Sequence, residues 1–71
     1  MNIIGDKLSE WRHRAGLTQD DAAVIFGVNQ PAYCKWERGK AKMSLVALAR
    51  LEGLIGRQEK AERLLRKGGE K

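Results

Sequence analysis

Residues 16–39 read GLTQDDAAVIFGVNQPAYCKWERG, and this stretch decides the fold. Thr18 can cap a helix whose first turn holds two carboxylates, and negative charge is favoured at that end of the helix dipole. Gly27 is placed to end this helix in a left-handed turn that a side chain would resist. Asn29 can cap the next helix, and Gly39 closes it. The sequence therefore predicts two short helices joined by a tight turn.

Helical patterns continue on both sides of this stretch. Apolar residues recur at helical spacing between Ile4 and Ala15. This spacing predicts a first helix that is capped by Asp6 and followed by Gly16. Ser44 is expected to cap a fourth helix. The side chains of the fourth helix that are predicted to point inward are those of Leu45, Leu48, Leu51 and Ile55.

The end of the fourth helix is left open by Gly53 and Gly56. Amphipathic spacing over about 57–67 predicts a further helix after them. Strand patterns are nearly absent, and no repeat or linker divides the chain. We therefore expect an all-α fold, a bundle of four to five helices, in a single domain spanning 1–71.

Charge is distributed unevenly along the chain. Residues 1–34 carry three basic and four acidic side chains, whereas residues 35–71 carry eleven basic and five acidic ones, which gives the formal net charge of +5. This excess favours a polyanionic partner, and by itself it fits nucleic acid and a membrane surface equally. The sequence has one cysteine, no long apolar run and no signal-like start. We therefore expect a cytoplasmic protein without a membrane partner, associated with the nucleoid when bound to DNA.

The stretch 16–39 resembles the helix-turn-helix of the Cro and phage-repressor (Xre) family. The shared features are the Thr-Gln opening, the Gly-Val turn, the Gln-Pro-Ala start of the next helix and the Trp-Glu-x-Gly ending. The resemblance covers about 4–55 and leaves 57–71 outside it. It implies a lambda-repressor-like fold and a sequence-specific regulator of transcription, a repressor or autoregulator, whose helix 30–37 enters the major groove of double-stranded DNA. It also implies a homodimer, because one short helix reads few base pairs.

The resemblance and the chemistry of the side chains together assign roles to single residues. Those predicted to read base edges are Asn29, Gln30, Pro31 and Lys35. Those predicted to contact phosphates are Gln19, Arg38, Lys40 and Lys42. Glutamine can pair bidentately with adenine, lysine can reach guanine, and an apolar surface can pack on a thymine methyl. Gln19 is also expected to brace Gln30, and Arg12 is expected to pair with Glu37 and tie the first helix to the third.

Two residues depart from the usual family pattern. Tyr33 stands where a β-branched aliphatic residue is common, so it needs extra room or a partner for its hydroxyl. Cys34 stands on the face of the third helix that points toward the groove. It could contact a base, respond to oxidation or do neither.

Other functions find less support in the sequence. No nucleophile with a base, no metal-ligating cluster and no phosphate loop can be assembled, so we expect neither an enzyme nor a cofactor, and His13 is expected to be solvated. The alternative function is a protein-binding adaptor or antitoxin-like module with the same fold. Under either function the C-terminal helix could cover the core, hold a protein partner, or form a dimer interface through Leu54, Leu64 and Leu65.

Overall fold

Four helices make up the part of the chain that the computed structural model describes, residues 2–69, with side chains described for 2–66. They are α1 (Ile3–Arg14), α2 (Gln19–Phe26), α3 (Gln30–Arg38) and α4 (Leu45–Gly69). No strand occurs within residues 2–69, and the predicted all-α class is confirmed. None of these helices is at once long enough and apolar enough to cross a bilayer.

The start of α1 is set by a contact with the far end of α3. The prediction that Asp6 caps α1 is wrong, because Asn2 does so: its Oδ1 accepts the Gly5 N–H at 3.2 Å. The Asn2 Nδ2 also donates to the carbonyl of Glu37 at 2.7 Å. A Cβ on Gly5 would collide with that same carbonyl, so glycine is what allows α1 to lie this close to α3. Asp6 lies in the first turn, where its charge suits the helix dipole.

The corner formed by α2, its turn and α3, residues 18–39, follows the sequence prediction at each cap. The Thr18 Oγ1 accepts the Asp21 N–H at 3.1 Å, and the Asp21 carboxylate accepts the Thr18 N–H at 3.2 Å. Gly27 has φ 70°, a left-handed conformation that ends α2. Asn29 Oδ1 accepts a backbone N–H from the first turn of α3 at 2.9 Å. The two helices thus begin and end where their own residues satisfy the terminal backbone groups.

Aromatic rings close the core between α1, α2 and α3. The ring of Phe26 lies at the centre, with centroids 5.7 Å from Trp11, 6.1 Å from Tyr33 and 5.8 Å from Trp36. The buried core cluster consists of Leu8, Trp11, Ala22, Ala23, Tyr33 and Leu51. The two alanines add little bulk, so α3 can pack closely on α2. This packing fixes the direction in which α3 presents its outer face.

The last helix is longer than the sequence predicts. The fourth helix and the separate segment 57–67 are one continuous helix, α4, which passes through both glycines without a break. Its second half is held against α1, because Gln58 Nε2 donates to the Trp11 carbonyl at 3.1 Å and Arg14 pairs with Glu62 at 3.6 Å. These contacts lie beyond both glycines and favour continuation of the helix.

The first residue of α4 points away from the core, which corrects the prediction for Leu45. Ser44 caps the helix as expected, since its Oγ accepts the Ala47 N–H at 3.1 Å. Leu51 is buried, but Leu45 is 84% exposed. Side chains three residues apart on a helix drift by roughly 60°, so two such steps from Leu51 carry Leu45 to the solvent side. Leu48 and Ile55 are half-buried, as the inward prediction requires.

Candidate nucleic-acid interface

The outer face of α3 presents polar and apolar side chains to solvent. Asn29, Pro31 and Lys35 are exposed, and Gln30 is half-buried. Pro31 lies in the first turn, where its missing N–H leaves no helical hydrogen bond unmade. On the opposite side Tyr33 is fully buried. The face expected to read bases is therefore free of the core.

Gln30 is braced from behind by Gln19, as the sequence predicted. The Gln30 Nε2 donates to Gln19 Oε1 at 2.8 Å. Gln19 Nε2 in turn donates to Glu37 Oε1 at 3.1 Å. The carboxylate receives a further donor, Arg12 Nε, at 2.7 Å. A line of side chains thus runs from the guanidinium of α1 to the first residue of α3, and the predicted pairing of Arg12 with Glu37 is confirmed.

This line fixes which way each amide points. An ionised Glu37 can only accept hydrogen bonds, so Gln19 must turn its NH₂ group toward it. The Gln19 oxygen then faces Gln30, which must donate a hydrogen bond to it from its own NH₂ group. Among the side chains described, 2–66, Gln30 keeps its carbonyl oxygen and one N–H without a hydrogen bond. These are the acceptor and the donor that a bidentate contact to adenine requires.

Glu37 stays ionised although it is largely buried. Burial alone would raise the pKa of its carboxyl, but the hydrogen bond from Arg12, the nearby hydroxyl of Tyr33 and the hydrogen bond from Gln19 outweigh that effect and lower it. The side chains of Arg12 and Glu37 are only 12% and 8% exposed. The hydrogen bond to Glu37 likewise raises the pKa of Arg12. Both partners therefore keep their charges, which maintains the amide orientation described above.

Asn29 can both cap α3 and donate a hydrogen bond outward. Its Oδ1 is engaged as the helix cap, at 2.9 Å from the Ala32 nitrogen. Its NH₂ group has no protein partner among the hydrogen bonds of the described residues and can donate outward. A base contact by Asn29 would therefore be made with a donor only.

A basic segment begins at the last residue of α3 and continues into the loop after it. Arg38, Lys40 and Lys42 are all exposed. None of them takes part in an ion pair within the described side chains, 2–66. Exposed and unpaired cations are the groups that phosphate oxygens attract.

Tyr33 carries the one side-chain polar atom that is buried without a hydrogen bond in the part of the chain described. Its hydroxyl lies near the carboxylate of Glu37 and the guanidinium of Arg12, but neither contact has the geometry of a hydrogen bond. Burial, together with the nearby carboxylate, raises the pKa of this hydroxyl far above its ordinary value of 10.0. The extra room that tyrosine needs is present, whereas the partner is not.

Residues 3–66 match a profile described as the helix-turn-helix domain. The chain belongs to the helix-turn-helix domain family, of the Cro and phage-repressor type. The match extends beyond the residues 4–55 expected from sequence, so most of α4 lies within the family region. This membership agrees with the expectation that the protein is not an enzyme.

This helix-turn-helix protein is also similar to a curated relative from Bacillus subtilis (strain 168), the SPbeta prophage-derived uncharacterized HTH-type transcriptional regulator YonR. The two are 32% identical over 54 residues, which is 76% of this chain and 50% of that relative. The chain thus spans half the length of the relative it matches. No solved structure matches it.

Sequence reasoning missed two contacts that hold this helix-turn-helix together. It did not find that Asn2 joins the start of α1 to the end of α3, although an asparagine before an apolar periodic run is a cap signal. It also did not connect Glu37 to Gln19, because that contact depends on how α2 crosses α3. His13 is exposed, as expected. Cys34 is a free, half-buried thiol on α3, and no group of residues suited to a metal occurs in the described part.

Proposed function

We propose that this helix-turn-helix protein is a sequence-specific, double-stranded DNA-binding regulator of transcription that reads the major groove with α3. The observation that carries the proposal is the fixed amide of Gln30, which offers one acceptor and one donor outward from a braced position. Exposed Lys35 lies on the same helix, and the basic segment follows it. The regulator named as a relative supports the same function.

Each predicted site residue has a role in this proposal. Base edges would be met by Asn29, Gln30, Pro31 and Lys35. Phosphates would be met by Gln19, Arg38, Lys40 and Lys42. Gln19 has one N–H left after its bond to Glu37, so it can brace Gln30 and still donate to a phosphate. The phosphate contacts set the register in which the base contacts are made.

We propose further that the protein acts in the cytoplasm as a homodimeric repressor or autoregulator. A nine-residue α3 reads few base pairs, and a two-fold pair would double them with half-sites about 34 Å apart or a multiple of that. The groove between α1 and α4 is our candidate interface. Its apolar lining residues are Ile4, Leu48 and Ile55, and its charged ones are Lys7, Glu52 and Glu59. Both signs of charge are present, so two copies of this groove can be complementary to each other.

Selection of bound sites from a random DNA pool, followed by measurements on variants, tests the proposed function. We expect a symmetric site. Gln30→Ala should cost about 1–3 kcal/mol at that site and relax the preference at one base pair. Lys40→Ala should weaken binding to all sequences alike and reduce the salt slope by about 0.9. Lys60→Ala, which removes the same charge from exposed α4, is the matched control and should change neither quantity.

The competing function, an adaptor that acts only through proteins, gives a different result in the same experiment. A DNA reader should prefer its site to competitor DNA by ~10³ or more, with affinity that falls steeply as salt rises. An adaptor with a basic surface would show the salt dependence without the preference. Equal losses on every sequence for both Gln30→Ala and Lys40→Ala would reject the assignment of α3 as the reading helix.

A further inference from the structure

A second groove lies between α2 and α4, away from α1 and from the residues proposed to contact DNA. It has a volume of about 520 Å³. Its main lining residues are Ile25, Val46, Arg50, Gly53, Leu54 and Arg57. We call it the α2–α4 groove. Arg50 Nη1 donates to the Ile25 carbonyl at 2.9 Å, near the end of α2, and so links the two walls.

The charged residues that line this groove have one sign. Arg50 and Arg57 line it, and Lys60 continues the same face of α4 one turn later. None of the lining residues is acidic. The described acidic residues of α4 lie on its other side. Glu52 and Glu59 line the α1–α4 groove, and Glu62 pairs with Arg14 of α1.

The same face is also apolar and exposed. Val46 is 73% exposed, and Leu64, seven residues after Arg57, extends the face toward the end of α4. Val24, on α2 next to Ile25, is exposed as well. A Cβ on Gly53 would meet nothing within 4 Å, so packing in this chain does not require glycine there. Glycine inside a helix is destabilising, and the close approach of another molecule to α4 would account for a glycine at this position.

We propose that the α2–α4 groove binds an acidic amphipathic helix of another protein. Leucine-like side chains of that helix would contact Val46 and Leu54, while its carboxylates would meet Arg50, Arg57 and Lys60. This recognition combines helix-in-groove packing with opposite charge. It is independent of the proposed DNA function, because none of these residues belongs to the site assigned to α3.

Other occupants of the groove fit its chemistry less well. A second copy would set Arg50 and Arg57 against the same arginines, with no carboxylate in the groove to offset them. DNA phosphates would leave Val46 and Leu54 without a partner. A bilayer surface is broad and flat, whereas these side chains line a concave groove.

The test measures binding of a synthetic peptide by fluorescence anisotropy with the full chain. The peptide is helical, with leucines on one face at i, i+4 and i+7 spacing and glutamates beside them. A scrambled peptide of the same composition is the reference. We expect the helical peptide to bind and the scrambled one to bind at least about tenfold more weakly, because only the first can present both chemistries together. Added salt should weaken binding.

Three variants assign the binding to this groove. Arg57→Glu and Val46→Asp should each weaken peptide binding by about tenfold. Arg57→Glu sets a carboxylate against those of the peptide, and Val46→Asp sets one against its leucines. Val46→Asp also puts negative charge at the start of α4, where it favours the helix, so folding is retained. Arg63→Glu makes the same charge change on another exposed face of α4 and should leave peptide binding unchanged.

Several outcomes would overturn the proposal. These are equal binding of the helical and scrambled peptides, no loss with Arg57→Glu, or preferred binding to phosphatidylglycerol vesicles that the peptide does not displace. Loss of self-association in Val46→Asp, measured by sedimentation, would assign the groove to a second copy instead. Site-specific DNA affinity, measured on the same variants, should stay unchanged. A loss there would show that the groove serves DNA.

Discussion

The corner at residues 18–39 and the long helix α4 are built on different principles. In the corner Thr18 and Asn29 cap α2 and α3 with their side chains, and φ of Gly27 and Gly39 is positive where the chain must turn. In α4 the two inner glycines are ordinary helical residues, and apolar side chains such as Val46 stand in solvent. The corner is a finished unit that positions α3, whereas α4 has an inner face for α1 and an outer face without a partner in the described chain.

The largest expected difference between a core position and the outer face of α4 concerns apolar side chains. Leu8 is fully buried beneath the corner, and Leu64 is 60% exposed. Leu8→Ala should lower the free energy of unfolding by about 3 kcal/mol, because it removes buried methyl groups and leaves a cavity. Leu64→Ala should change it by less than about 0.5 kcal/mol. Urea unfolding followed by circular dichroism measures both.

Similar losses for the two leucines would contradict this comparison. A large loss for Leu64→Ala would mean that the outer face of α4 is already covered, for example by a second copy. Repeating the unfolding at several protein concentrations separates that case, because only the stability of a dimer depends on concentration.

The glycines give a second comparison, with effects of opposite sign. Added Cβ atoms at Gly27 and at Gly53 would both meet nothing within 4 Å, so the two positions differ in backbone conformation alone. Gly27→Ala should cost about 1–2 kcal/mol, because its φ of 70° is unfavourable for an L-residue. Gly53→Ala should raise the free energy of unfolding by about 0.5–1 kcal/mol, since alanine suits a helix interior.

Thermal unfolding of both variants, side by side with the parent chain, measures this prediction. A gain from Gly27→Ala would mean that the turn between α2 and α3 can relax to a right-handed conformation. A lower free energy of unfolding for Gly53→Ala would mean that α4 bends at this glycine and consists of two helical segments.

The same contrast explains how far the sequence alone could predict the structure. The caps at Thr18 and Asn29 and the ending at Gly27 were predicted correctly, because the groups that decide them are local in sequence. The start of α1 was predicted wrongly, because Asn2 is held by a carbonyl 35 residues away. Gly53 and Gly56 left the end of α4 open, because the sequence does not show whether a glycine has a positive φ. Neither of them does, so the helix continues through both.

The candidate site was predictable to a similar extent. The bond between Gln19 and Gln30 and the pairing of Arg12 with Glu37 were both expected. The hydrogen bond from Gln19 to Glu37, which connects the two pairs, was not. It depends on the angle at which α2 and α3 cross, and side chains packed between the two helices set that angle. The α2–α4 groove was missed for the same reason. Its residues belong to two helices that the sequence does not place side by side.

The smallest expected effect concerns a buried polar group of the corner, the hydroxyl of Tyr33. This oxygen is buried without a hydrogen bond. A buried polar group without a partner is costly, so Tyr33→Phe should raise the free energy of unfolding by up to about 1 kcal/mol near neutral pH. Urea unfolding of the variant and the parent chain measures the difference.

The dependence of that difference on pH provides the control. Tyr33 is the single tyrosine of the chain. Its hydroxyl has a raised pKa when folded, so as pH rises through the ordinary value of 10.0 the unfolded chain ionises first, and the parent loses stability. Tyr33→Phe lacks this group, so the difference in stability between the variant and the parent should widen above pH 10.0. A difference that stays constant would mean that the pKa of the hydroxyl is not raised in the folded chain. A variant less stable than the parent would mean that the hydroxyl has a hydrogen-bond partner in solution.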